Sequence, residues 1–251
     1  MDFIALLFTI LFVFIALFLS KSFKVGIEKD IIIATLRASI QLFFIGYLLT
    51  FIFNFNSPFF TILMLLFMLL IASQNIVKRR KKQKGLFWRV FVTLLLVEGI
   101  TQGFLLVLQV IPPTSKYIIP ISGMIIGNSM VLASLFLNRL FSEVELHRQE
   151  ILLILSLGGI PKQAVHSILK VCMKASMIPT LESQKTIGLV QLPGMMTGQI
   201  LAGASPVQAV RFQLLIAFTT MTSATLTCIM LSSLIYPLLF TKYQQLKERI
   251  E

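Results

Sequence analysis

The sequence predicts an all-α fold, a polytopic membrane helix bundle of about seven transmembrane helices forming one domain over residues 1–251. Three observations carry this. Leu, Ile and Phe run in blocks too long for a water-facing surface. Hydrophobic residues make up 57% of the chain and charged ones only 13%, where a soluble domain has about 45–50% and 25%. The basic residues are confined to a few short segments between the apolar blocks. A transmembrane barrel would instead show roughly ten-residue stretches of alternating polarity, and none is present.

Taking about 20 residues per crossing, apolar runs of spanning length fall at 3–20, 31–53, 59–77, 90–111, 117–138, 187–204 and 212–237. Asp2, in place of a basic leader, and the lack of a small-residue cleavage site make the first a retained span rather than a signal peptide. Asn54-Phe55-Asn56-Ser57-Pro58 and Pro112-Pro113 separate their neighbours as turns. The sixth run is the least regular. It lies in "KTIGLVQLPGMMTGQILAGASP" (185–206), which glycines and Pro193 interrupt.

Lys and Arg set the orientation. With the N-terminus outside and the C-terminus inside, 19 of the 22 fall at 21–30, 78–89, 139–185 and 242–251, all cytoplasmic. "KRRKKQKGLFWR" (78–89) is then an anchoring loop. The net charge of +12 reflects topology and lipid contact, not nucleic-acid binding. Two cysteines, Cys172 and Cys228, both in or beside apolar helical segments, with only two histidines, argue against a closed zinc site.

Small residues recur four apart at Gly99/Gly103, Gly123/Gly127 and Gly194/Gly198. Such strips let helix backbones approach closely, as static packing or as sliding surfaces. Arg37 and Glu98 are the ionisable residues well inside the spans. At roughly 1.5 Å per residue their depths agree to within about 3 Å. Gln41 and Gln102, four residues on, extend both polar faces. Intramembrane charges are costly and face partners or a wet cavity, so the two form a structural pair or line a substrate path.

Residues 139–185 form a cytoplasmic segment unlike the other loops. Glu143, Glu145 and Glu150 precede an apolar run ending at Ser156-Leu157-Gly158-Gly159. Pro161 then starts a helix, in which Lys170 and Lys174 share a face, and Pro179 closes it. This helix–turn–helix would lie at the inner membrane surface, as an interfacial anchor or as a docking surface for a soluble partner.

The order of residues here resembles the coupling loop of ABC-transporter permeases: an acidic residue, Leu-Gly-Ala, a proline-led helix and a further proline. Glu150, Leu157-Gly158-Gly159, Pro161-Lys162-Gln163-Ala164 and Pro179 match it, with Gly in place of the usual third-position Ala. "RASIQLFFIGYLL" (37–49), "PISGMIIGNSMV" (120–131), "LSLGGIPKQAV" (155–165), "MIPTLESQKTIGLVQLPGMMTGQILAG" (177–203) and "RFQL" (211–214) together resemble the FetB (YbbM) family of ABC permeases. The resemblance spans the chain apart from its first thirty residues and the outer-loop details. It implies a plasma-membrane permease subunit that exports iron or another metal ion, whose coupling residues Glu150, Gly158, Gly159, Pro161, Gln163 and Ala164 seat in an ATPase. Plant relatives are associated with aluminium tolerance and nucleotide-sugar transport, so a nucleotide sugar is the alternative cargo.

The chain has no phosphate-loop motif. It is therefore expected to be no enzyme and to bind no cofactor, with ATP and Mg on a partner ATPase and two permease copies facing two nucleotide sites. A rival class is an ion-coupled secondary carrier that uses Arg37 and Glu98. Pro193 and Gly194 should break the sixth span near mid-membrane, and freed carbonyls there are tolerated only against protein or a water-filled cavity. Met195 and Met196 offer soft thioethers suited to Cu(I), or are adaptable packing. Hard iron would prefer the oxygens of Glu98, Gln102, Asn128, Thr197 or Gln199.

Overall fold

The computed structural model of the chain describes residues 3–55, 57–78 and 85–247, with side chains from residue 8 onward. Most of the basic run expected as an anchoring loop, 79–84, and the last four residues of the tail lie outside the described residues, as does Asn56.

Among the described residues ten α-helices follow in order: α1 (Phe3–Ser22), α2 (Glu28–Phe55), α3 (Pro58–Val77), α4 (Leu86–Val107), α5 (Ser115–Leu146), α6 (Arg148–Ser156), α7 (Pro161–Ala164), α8 (His166–Thr186), α9 (Gly194–Leu201) and α10 (Pro206–Ile235). A 3₁₀ turn at Tyr236–Leu239 follows. Five of them, α2, α3, α4, α5 and α10, are long and apolar enough to cross a membrane. The chain forms two compact units, 1–57 and 58–251.

In the first unit α1 and α2 are joined by a tight turn, where Lys24 and Gly26 have positive φ. The Ser20 hydroxyl donates to Glu28 Oε1 at 2.8 Å across that turn.

In the second unit α5 is central and packs against α3, α4, α8 and α10. Named contacts fix the directions. Thr61 at the start of α3 meets Ser115 at the start of α5 (2.7 Å), and Asn75 reaches Met130, so α3 and α5 run parallel. Tyr117 packs on Phe212 and Asn128 bonds the Thr220 carbonyl, so α10 is parallel to both. Arg89 at the start of α4 donates to the Leu234 carbonyl near the end of α10, so α4 is antiparallel to these three. Leu94, Phe136, Leu140, Leu231 and Ile235 fill the core toward that end. A smaller apolar cluster of Leu105, Ile111, Ile121 and Ile125 closes the other.

Three expectations are corrected. First, 187–204 holds no spanning helix. It is a turn followed by the eight-residue α9, and α10 begins at Pro206 rather than 212. The reason is local: Ser205 accepts from the Gln208 amide and Pro206 takes the first helical position, a complete start signal.

Second, α8 does not lie apart as half of a surface helix–turn–helix, and Pro179 does not close it. Pro179 sits inside the helix. Ile168, Leu169, Cys172 and Ser176 form a buried stripe, and α8 packs against α5 and α10. Ala175 and Ser176 lie beside Asn138 and Arg139, whereas Gln184 lies level with Thr220 and hence with Asn128. So α8 runs antiparallel to α5 and returns along it. A helix carrying Lys170, Lys174, Glu182 and Lys185 fails a hydropathy test for spanning, yet one buried stripe is enough to dock it.

Third, the glycine strips do not bring helices together within the chain. A side chain at Gly99, Gly103, Gly127, Gly194 or Gly198 would meet nothing within 4 Å. Only Gly123 faces a neighbour, with Met68 of α3 at 3.2 Å from where a Cβ would stand.

Candidate functional site

Two polar regions are built into the second unit. The first is a buried seam among α4, α5 and α10. Glu98, Thr101 and Gln102 on α4, Ser122 and Ser129 on α5, and Ser223 and Thr227 on α10 are all buried. The hydroxyls of Thr101, Ser223 and Thr227 fall back on carbonyls of their own helices at 2.7–2.9 Å. Both oxygens of Glu98, both amide atoms of Gln102, and the Ser122 and Ser129 hydroxyls have no hydrogen-bond partner. Ser122 lies beside the Glu98 carboxyl without a bond of ordinary geometry. A buried carboxyl left this way is costly, by more than the 1–3 kcal/mol or so of a neutral group. Arg37 is exposed on α2, in the first unit.

The second region is a cavity of about 440 Å³ bounded by α5, α8, α10 and the turn at 187–193. Its polar wall is made of carboxamides (Asn128, Gln184, Gln191, Gln213) and hydroxyls (Ser176, Thr180, Ser183, Thr220). Two amides are held by α10. Asn128 Nδ2 donates to the Thr220 carbonyl at 3.4 Å, and Gln184 Nε2 donates to the Ala217 carbonyl and to Thr220 Oγ1 at 3.2 and 3.3 Å. Gln213 Oε1 has no partner. No lining residue carries a charge. Pro179 also lines it and, having no N–H, leaves the Ala175 carbonyl without its helical donor.

The residues expected along a substrate path therefore divide. Asn128 lines the cavity, and Glu98 and Gln102 belong to the seam. Gln199 faces a separate pocket of about 400 Å³ with Tyr117, Gln208 and Arg211. Met195 and Met196 are half-buried and Thr197 exposed, none of them lining either space. Among the described residues no three His, Cys, Asp or Glu side chains gather as metal ligands. Gln184, Gln213 and Thr220 escape sequence reading. Ser176, Thr180 and Gln184 do recur at intervals of four on one helix face, but only α10 shows what they face.

The elbow at 156–164 is well formed. Leu157 ends α6, Gly158 takes φ +87° and donates to the Leu155 carbonyl, and Gly159 donates to the Ile154 carbonyl. This pair of bonds is the Schellman arrangement that closes a helix through a left-handed residue. A Cβ on Gly159 would stand 2.6 Å from Ile154 Cγ2 and 2.8 Å from its carbonyl oxygen. One glycine is thus needed for its φ, the other for space. Gln163 Oε1 accepts from the Ile160 amide, Pro161 starts α7, and Ala164 is buried. Leu153, Leu157 and Ile160 stand exposed around the bend. Glu150 is exposed and lies 3.2 Å from His147.

The family model described as "Uncharacterised protein family (UPF0014)" matches residues 3–240. The chain is 66% identical over 248 residues to the UPF0014 membrane protein YjkA of Bacillus subtilis (strain 168), covering 99% of both chains. It is 38% identical over 242 residues to the "Probable iron export permease protein FetB" of Escherichia coli (strain K12), covering 96% of this chain and 93% of that one. To the Arabidopsis thaliana "Protein ALUMINUM SENSITIVE 3" it is 34% identical over 238 residues, 95% and 87% of the two chains. No solved structure matches.

Proposed function

The chain belongs to the UPF0014 family of membrane proteins, and from that premise we propose that it is the permease subunit of an ABC transporter exporting iron or another metal ion. ATP and Mg are handled by a separate ATPase chain, two copies of the permease pair at the plasma membrane, and the N-terminus lies outside. The elbow at 156–164 carries this reading. It is an apolar knob of Leu153, Leu157 and Ile160, held rigid by two glycine-dependent bonds. It lies beyond the α5 end that meets the start of α8. A knob of that kind suits a cleft on a soluble partner, and the relative in Escherichia coli is named an iron export permease. Glu150, Gly158, Gly159, Pro161, Gln163 and Ala164 form or brace it.

Affinity purification of the solubilised chain should recover a phosphate-loop ATPase, and metal efflux should require ATP. ATP-independent efflux by the purified chain in vesicles would refute the reading. Cysteines placed at 54 and 78, both exposed positions, should label from opposite membrane faces.

The unpartnered oxygens of Glu98 favour a second reading, an ion-coupled carrier in which Glu98 takes up and releases a proton or ion. It predicts that Glu98→Gln abolishes transport without unfolding the protein. Wild-type transport by Glu98→Gln would exclude it.

A further inference from the structure

The end of the bundle where α5 and α10 start, opposite the elbow, carries the pocket of about 400 Å³ lined by Tyr117, Gln199, Gln208 and Arg211. Its walls are well fixed. The Tyr117 ring packs on Phe212 with 5.9 Å between centroids, which holds the phenol at the junction of α5 and α10. α9 closes through Gly203 at φ +95°, whose amide bonds the Ile200 carbonyl while the Ala204 amide bonds the Gln199 carbonyl, the Schellman arrangement again. Ser205 then caps α10. Gln199 and Gln208 thus come from the two sides of a turn with both ends capped. Among the described residues the Arg211 guanidinium, the Tyr117 hydroxyl and both carboxamides have no hydrogen-bond or ion-pair partner. Arg211, Gln208 and Tyr117 are exposed, and the half-buried Gln199 has no polar atom closed off.

Charge sets this pocket apart. The segments read as cytoplasmic take 19 of the 22 basic residues, and Arg211 is one of the three left over, with Arg37 and Lys116. Lys116, next to Tyr117 in sequence, is exposed at the same end. No Asp or Glu occurs from 99 to 142 or from 183 to 247, so no acid of the helices that build the pocket neutralises either cation. The negative end of the two-turn α9 meets the positive end of α10 at their shared turn, so the positive charge here is that of the side chains.

A guanidinium, a phenol and two carboxamides can all donate, and the guanidinium fork matches a phosphate. The surroundings are apolar. Val110 in the wall is exposed, as are Val207 and Leu214, which stand four residues before and three after Arg211 and share its face of α10. At roughly 1.5 Å per residue, Tyr117 stands about 3 Å and Arg211 about 8 Å from the starts of their helices. That is the headgroup level of a bilayer, where such amphipathic side chains sit.

We propose that this pocket binds the phosphate of an anionic phospholipid headgroup. Arg211 is the ionic partner, Tyr117, Gln199 and Gln208 are neutral donors, and the apolar rim lies against the acyl chains. The lipid offsets positive charge at an end of the bundle that is otherwise kept nearly free of it. On the proposed orientation it belongs to the outer leaflet. A soluble phosphate ion would satisfy the same donors, and the test separates the two sources.

The purified full chain is placed in phosphatidylcholine nanodiscs containing phosphatidylglycerol with a photoreactive headgroup, and crosslinks are mapped by peptide mass spectrometry. A crosslink within 199–212 should form, competed by unlabelled phosphatidylglycerol but not by inorganic phosphate. Arg211→Gln should cut it by about tenfold, while crosslinks at the basic segments 21–30 and 139–185 stay unchanged. Tyr117→Phe keeps the ring on Phe212 and should cost less, about threefold. Neither lost group bonds within the protein, so both variants should fold as the parent does, checked by thermal unfolding.

No crosslink within 199–212, an unchanged one in Arg211→Gln, or competition by inorganic phosphate would overturn the proposal. So would an equal loss at the basic segments, which would show a general effect of charge rather than a site. The crosslink depends on neither the cargo nor the leaflet, so failure of the export reading would leave it standing.

Discussion

The elbow at 156–165 and the break at 186–194 are both glycine- and proline-marked interruptions of helix, and they behave oppositely. At the elbow the freed backbone groups are recovered at once. Gly158 bonds Leu155, Gly159 bonds Ile154, and Ile160 bonds the Gln163 side chain. The chain turns within four residues, α7 starts, and Ala164 and Val165 are buried immediately after. At the break the Thr186 carbonyl alone collects the amides of Leu189, Val190 and Gln191. The apolar side chains of Leu189, Val190 and Leu192 stand exposed, and a cavity opens behind the turn. A helix interruption does not by itself make a binding space. It makes one here because the polar side chains of α8 have another element, α10, to hold them.

The sharpest way to break this contrast is Gly159→Val. The new side chain collides with Ile154 backbone and side chain, so ATPase co-purification and efflux should both be lost while membrane insertion persists. Wild-type efflux would reduce the elbow to a linker. Gln184→Leu removes two bonds to α10 and leaves α8 less well held at the cavity. It should destabilise the protein by about 1–3 kcal/mol, read as a lower midpoint in thermal unfolding. No change would mean that the cavity wall does not depend on α10.

Gly188→Ala tests the break with space held constant. Gly188 has φ +84° and nothing within 4 Å of an added Cβ, so the cost should be the conformational term alone, about 1–2 kcal/mol. It should stay well short of the Gly159→Val effect. The smallest effect is expected from Gly99→Ala and Gly127→Ala. Both positions face open space, and replacing a helical glycine by alanine stabilises by about 0.5–1 kcal/mol. Unaltered stability with impaired efflux would show that these strips meet a second copy of the chain rather than a neighbour within it.

Much of the site was legible residue by residue and some was not. The helix end at Leu157-Gly158-Gly159 and the restart at Pro161 followed from the order Leu-Gly-Gly-x-Pro, because helix termination and restart are local; the structure showed that Gly158 is the left-handed residue. Asn128 was legible as a polar side chain inside an apolar run, and it lines the cavity. The amides of Gln184 and Gln213 were not, because each sits on a segment whose own pattern looks ordinary. Gln184 falls on a helix with four charged side chains, read as a surface element, and Gln213 falls near the start of a long apolar run.

The sequence by itself determined the helical, membrane-embedded class, the alternation of apolar runs with basic segments, and the turn at the elbow. These follow from composition and near-neighbour chemistry: burial of apolar side chains, the absent N–H of proline, the open φ of glycine. Only the tertiary structure decided that α8 returns along α5, that 187–204 is a turn and a short helix rather than a span, and that the glycine strips face outward. Each of those depends on which face of one helix finds a partner on another. Hydropathy averages a segment over all its faces, whereas docking needs only one, so a charged helix with a buried stripe was invisible until α5 and α10 were in place around it.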